Sequence, residues 1–246
     1  MSAASAPVSP PPLSEAARVI NTFVAPSSTF ADIRRNQSWW VPWVLSSLAA
    51  LAFVFVMAQK IGFEQIVRNE LAKKPAQMEQ LEKLSPEDRA RRMEIGAKVT
   101  SYFSYGTPLL QLVGALIIAG VFLVIFNFGM GAEIGYKQSL AVTMYSYLPF
   151  LLSTVLAIVS LTVGVDPEGF NVRNPVATNP AYFMNPLEHK FLYGILSAVD
   201  VFSLWVVVLL GIGYSSVSKV KRSTAIVTVL AVFLIYKIVG SAIAAM

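Results

Sequence analysis

The sequence predicts an all-α, polytopic membrane protein: a five-helix transmembrane bundle with interfacial helices at its N-terminal end and a charged helical hairpin between the first two spans. Three observations carry this. Of 246 residues 55% are apolar and 13% charged, where about a quarter is usual in a soluble domain. Five apolar runs are long enough to cross a hydrocarbon core of about 30 Å. The runs are continuous rather than alternating, which excludes strands as the spanning element.

Residues 1–12 form a Pro/Ala/Ser tail, expected to be disordered. It lacks the basic and apolar regions of a cleavable signal peptide. The membrane domain takes up residues 13–246. Apolar side chains at Leu13, Ala16, Ala17, Ile20 and Val24 fall at helical spacing, with Ser14 as cap. Pro26 interrupts, and Thr29 to Asn36 resumes a short helix with Phe30 and Ile33 on one side. Neither piece can span. Both are expected to lie on the membrane with Arg18, Arg34 and Arg35 towards the headgroups.

Trp39, Trp40 and Trp43 form an interfacial aromatic belt before the first span, residues 41–58. Pro42 falls in its first turn, where a missing N–H costs little. Residues 60–101 mix Lys, Arg and Glu with apolar residues at helical spacing, and Pro75 divides them. Ser85, Pro86, Glu87 and Asp88 make a strong helix start. The second and third spans cover 105–126 and 139–164. Gly114 and Gly120 offer close packing in the second, and Pro149 interrupts the third. A loop with repeated Asn-Pro steps leads to the fourth span, 191–217. The fifth, 224–245, follows a tight basic turn of Lys219, Lys221 and Arg222.

Short basic loops set topology, so that turn is expected in the cytoplasm. The N-terminus then shares its side and the C-terminus lies outside, in a multi-pass protein of the inner cell membrane. The 60–101 segment, placed outside, resists this arrangement because it is the richest in Lys and Arg.

Ionisable residues within a membrane are functional candidates by default. Asp200 in the fourth span and Lys237 in the fifth each lie roughly 20–25 Å along their helices from the shared turn. They are expected to approach each other as an intramembrane polar pair. Tyr145, Ser146 and Pro149 are candidates for a polar groove or kink, because Pro149 frees a carbonyl near Tyr145 that nearby hydroxyls can satisfy. Glu133, in the second cytoplasmic turn, is a candidate loop acid.

Other chemistry is missing. There is no Cys and one His, His189, so thiolate sites are excluded and no metal site is expected. There is no Ser/His/Asp arrangement, phosphate-binding Gly loop or H-E-x-x-H. No cofactor and no nucleic-acid partner are expected. The net charge of +5 sits beside the apolar runs, where it contacts headgroups.

The blocks APSSTFADIRRNQSWWVPW, YKQSLAVTMYSYLPFLL, NPVATNP and LSAVDVFSLWVVVLLGIGYSSVSKVKRSTA, in that order, resemble the prokaryotic branch of the Yip (Ypt/Rab-interacting protein) domain family. The resemblance covers most of the chain from about Phe23 onward. It implies a five-helix membrane domain with a cytoplasmic N-terminus. Eukaryotic relatives act in vesicle trafficking and membrane shaping through partner proteins. Their acidic N-terminal motif is not evident here, and the 60–101 segment departs from the short connection of compact relatives.

The expectation is therefore a non-enzymatic membrane protein acting through protein or lipid contacts, in membrane organisation or trafficking-like processes. Its partners are the lipid bilayer and other membrane proteins, and self-association is left open. The alternative is a transporter, channel or permease component with a polar site near Asp200 and Lys237.

Overall fold

A computed structural model describes residues 11–245; the N-terminal tail expected over 1–12 lies mostly outside them. The described chain is helical. Two short helices, α1 (Glu15–Val24) and α2 (Pro26–Ile33), precede α3 (Trp40–Lys60). Then come α4 (Phe63–Ala72), α5 (Pro75–Glu82), α6 (Pro86–Tyr105) and α7 (Thr107–Met130). The chain continues through α8 (Tyr136–Ser146), α9 (Leu148–Val163), α10 (Lys190–Leu196), α11 (Val201–Val217) and α12 (Arg222–Ala245).

By length and composition α3, α7, α8 with α9, and α12 can each cross a membrane; α10 and α11 make a fifth span if their 55° bend is taken within one crossing. Their outer faces carry exposed apolar side chains such as Leu48, Phe55, Ile117, Phe128 and Ile235. Such a surface is costly in water and suits lipid.

The breaks have local causes. Ser14 accepts the Ala17 N–H (3.1 Å) and Glu15 occupies the first turn of α1, where an acid favours the helix dipole. Ser85 likewise accepts from Asp88 N (3.1 Å) to start α6. Gly131 ends α7 in the left-handed conformation, φ 63°, which a glycine adopts without strain. Asn127 then closes the turn onto Ile134, donating to its carbonyl (2.9 Å) and accepting from its N–H (2.8 Å). The third crossing breaks at Tyr147, two residues before Pro149, which sits in the first turn of α9.

The main core joins Phe30 and Ile33 of α2 to Phe122, Phe126, Tyr145, Leu210 and Tyr214. Thus α2 does not merely lie on the surface: Phe30 and Ile33 are fully buried against the bundle. Gly114 and Gly120 are not the tight contacts: a Cβ on Gly114 meets nothing within 4 Å, and one on Gly120 only the Tyr136 ring at 3.9 Å. Close approach falls on α10, where a Cβ on Gly194 would collide with Ser241, and on α11. A Cβ on Gly211 would sit 2.6 Å from the Ile226 Cα, and one on Gly213 would sit 2.5 Å from a Val142 methyl.

Contacts sort the connections into two ends. At one, Arg34 donates to the Ser218 carbonyl (3.4 Å) and Arg222 to the Ser27 hydroxyl (3.0 Å). At the other, Asn69 of α4 donates to the carbonyls of Pro167 (2.7 Å) and Phe170 (3.0 Å), while Arg173 pairs with Glu70 (3.2 Å). The charged 60–101 segment is therefore docked on the Asn/Pro-rich loop.

Candidate functional site

The structure sets Asp200 and Lys237 around one cavity of about 360 Å³, together with Arg173, Thr178 and Ser203. Asp200 is there because the fourth crossing is broken. The helix stops at Leu196 and restarts at Val201, and Asp200 caps the restart by accepting the Ser203 N–H (2.8 Å). Its other oxygen accepts from the Thr178 hydroxyl, and Val201 N–H donates to the Thr178 carbonyl (3.2 Å). The loop is thereby fastened to the break. Lys237 stands over the Phe233 ring, 5.7 Å from its centroid. Among the described residues no ion pair within 4.0 Å joins Lys237 to Asp200 or to any other acid. The two charges face one space without touching.

Two further cavities adjoin this one. The first, about 260 Å³, is lined by apolar chains such as Phe122, Leu210 and Val229, and shares Ser203 and Lys237 with the polar chamber. The second, about 280 Å³, lies between Trp43, Gly114 and Met144, and shares Ile118 and Tyr147 with the first. Phe150 lines all three, so they adjoin around its ring as a trough, polar at Asp200 and apolar elsewhere.

The second polar constellation was not expected. Arg18 is fully buried rather than turned to headgroups. Its Nε lies 3.2 Å from Asp32 Oδ2, an ionic contact not aligned as a hydrogen bond. Its other nitrogens donate to the carbonyls of Asn36 and Ser38, and its guanidinium stacks 4.9 Å from the Tyr145 ring centroid. The Tyr145 hydroxyl donates to Glu15 Oε2 (2.6 Å) instead of relieving the backbone near Pro149. Burial opposes ionisation of Glu15, but the Tyr145 hydrogen bond and the Arg18 charge outweigh it and hold the carboxyl below its usual range. α1 thus buries a mixed face: Arg18 and Thr22 face in beside the partly buried Val19 and Phe23, while Ile20 and Val24 face out. Helical periodicity gives the two faces of such a segment but not which one is buried. The sequence cue was Asp32 on the next helix, which periodicity alone does not bring to Arg18.

A third buried set links three helices. Ser139 donates to the Ala119 carbonyl (2.7 Å) and shares a hydrogen bond with the Tyr214 hydroxyl (2.6 Å), whose ring stacks on Phe126 at 4.5 Å.

The remaining candidates are dispersed. Ser146 Oγ is buried with no hydrogen-bond partner. Glu133 is exposed in the α7–α8 turn, at positive φ. Trp43 donates to the Pro108 carbonyl (3.0 Å), Trp39 is half-buried, and Trp40 is exposed. Lys219, Lys221 and Arg222 are exposed at the α11–α12 turn. His189 is exposed just before α10. No group of three His, Asp or Glu among the described residues is placed to hold a metal.

A family model described as the Yip1 domain matches residues 20–243. No curated protein and no solved structure matches the chain.

Proposed function

This chain belongs to the Yip1 domain family, and from that premise we propose that it is a non-enzymatic membrane protein acting through lipid and protein contacts, with the Asp200–Lys237 trough as its binding site. The carrying observation is the trough itself: a chamber faced by two half-buried opposite charges that form no ion pair, adjoining apolar cavities between the helices. Such a site suits retention of an amphiphile or a partner segment. Glu15, Asp32, Arg18 and Tyr145 are engaged with one another at the other end of the bundle, and none of them lines the trough.

The reading places the protein in the inner cell membrane, with the N-terminal helices and the Lys219–Arg222 turn in the cytoplasm. Its role is in membrane organisation or trafficking-like processes. Transport is the competing reading, and against it stands the buried layer of Phe126, Tyr145, Leu148 and Tyr214, which fills the bundle beyond the trough.

Proteoliposomes containing the full chain test this. The expected result is solute and proton flux no greater than in empty vesicles, together with capture of lipid or protein by photo-crosslinkers placed at Phe150. Flux abolished by Asp200→Asn would overturn the reading.

A further inference from the structure

We propose that the trough holds one membrane phospholipid whose headgroup carries both a phosphate and a primary ammonium, the phosphate against Lys237 and the ammonium against Asp200. This rests on the contact-based reading above and supplies its ligand.

The first argument is charge. Asp200 receives only neutral donors, the Thr178 hydroxyl and the Ser203 N–H. Lys237 has an aromatic ring and, among the described residues, no carboxylate within 4.0 Å. Both are half-buried, and a charge removed from water needs a counter-charge. They face one cavity and feel each other's charge across it, but form no direct ion pair. A ligand with one charge of each sign, a few bonds apart, satisfies both. Arg173, the other cation of the chamber, is already paired with Glu70.

The second argument is the gradient. Beyond Phe150 the trough is apolar, walled by residues such as Phe122, Val206, Leu210 and Val229. A water-soluble zwitterion would leave those chambers unfilled. An acyl chain fills them and gains by burying apolar surface. The third is position. The polar chamber is closed by Arg173, Asn174, Thr178 and Asn179 of the loop between spans, which places a headgroup at the bilayer surface. Tyr236 and Phe150 at the trough's edge are 71% and 39% exposed, so entry is sideways from the lipid.

Selectivity follows from donors. A primary ammonium offers N–H groups to Asp200, whereas a choline head has none and a glycerol head leaves the carboxylate without a cation.

The full-length protein, purified in mild detergent, is incubated with equimolar phosphatidylethanolamine, phosphatidylcholine and phosphatidylglycerol and examined by native mass spectrometry. The expected result is one retained phosphatidylethanolamine, favoured roughly tenfold over either competitor. Lys237→Gln lowers that retention roughly tenfold. Asp200→Asn, which keeps a helix-capping side chain, retains lipid but loses the preference for ethanolamine. Phe150→Trp alters no charge, narrows the junction of the chambers and lowers retention of all three. Equal retention of the three lipids by the unaltered protein, or retention unchanged in Lys237→Gln, overturns the proposal. So does binding of soluble phosphoethanolamine as tight as that of the lipid. Asp200-dependent flux in proteoliposomes would overturn the contact-based reading instead, and is measured separately.

Discussion

The Tyr145 hydroxyl donates to Glu15 Oε2 at 2.6 Å across 130 positions of sequence, and this bond clamps the first helix onto the third crossing. The clamp adds a polar contact to the apolar packing of Val19 and Phe23 against the bundle. Removing the hydroxyl leaves the Arg18–ring contact in place. Tyr145→Phe is expected to lower stability by about 1–2 kcal/mol, as for a hydrogen bond to a charged group. Limited proteolysis at the Ser38–Trp39 connection and thermal unfolding in detergent check it; unchanged cleavage and midpoint would exclude the clamp.

Acid should loosen the same contact. Glu15 is held below its usual carboxylate range, so folding favours its ionised form. The resulting stability is fully present above the unfolded value and is lost as pH falls through the lowered folded value. Protease access to α1 should therefore rise on acidification in the unaltered protein. In Glu15→Gln it should start higher and change less, and an equal acid response in both would rule out Glu15 as the group concerned.

Arg18 and Asp32 make a sharper case because both side chains are essentially fully buried. Breaking a buried pair from one side strands a charge, at a cost of about 3–5 kcal/mol. Arg18→Met or Asp32→Leu alone should thus unfold the N-terminal helices or the whole domain. The double variant should recover much of the loss, because the charges it leaves without these partners, Glu15 and Arg35, are partly exposed rather than fully buried. A double variant as unstable as the sum of the singles would mean the ion pair is not the interaction lost.

The apolar runs, the prolines and the Ser14 and Ser85 caps made the helices legible, because helix formation is local. Counting residues outward from a shared turn puts Asp200 and Lys237 at similar depth, and both line one cavity with no ion pair between them. What could not be read was tertiary. Arg18 has the look of a headgroup anchor until Asp32 and Tyr145, from two other helices, are brought to it. Asp200 looked like a charge inside a span, whereas the chain breaks there and uses it as a cap. Gly211 and Gly213 lie in an unremarkable apolar stretch, and only the packing of Ile226 and Val142 against them shows why they lack side chains.

Gly211 gives a packing test independent of charge. A methyl there would sit 2.6 Å from the Ile226 Cα and 2.9 Å from its N, backbone atoms that move only if α12 moves. Gly211→Ala should cost about 1–3 kcal/mol by overpacking, whereas Gly114→Ala, with open space around it, should cost little. Thermal midpoints in one detergent compare them, and equal midpoints would refute the close crossing of α11 and α12.

Orientation is testable cleanly because the chain has no Cys, so a single introduced thiol is the only one. Gln80 and Lys221 are both exposed and lie in the two groups of connections that contacts assign to opposite ends. The basic Lys219–Arg222 turn is short, which is where charge bias acts. The 60–101 segment is basic too, yet its pairs Arg68–Glu64 (3.0 Å), Lys83–Glu79 (2.6 Å) and Lys98–Glu94 (2.6 Å) spend those cations locally on exposed helices. In intact cells a membrane-impermeant maleimide should label Gln80→Cys at once and Lys221→Cys only after permeabilisation. The reverse pattern would invert the protein and move the Asp200–Lys237 trough from the outer leaflet to the inner one.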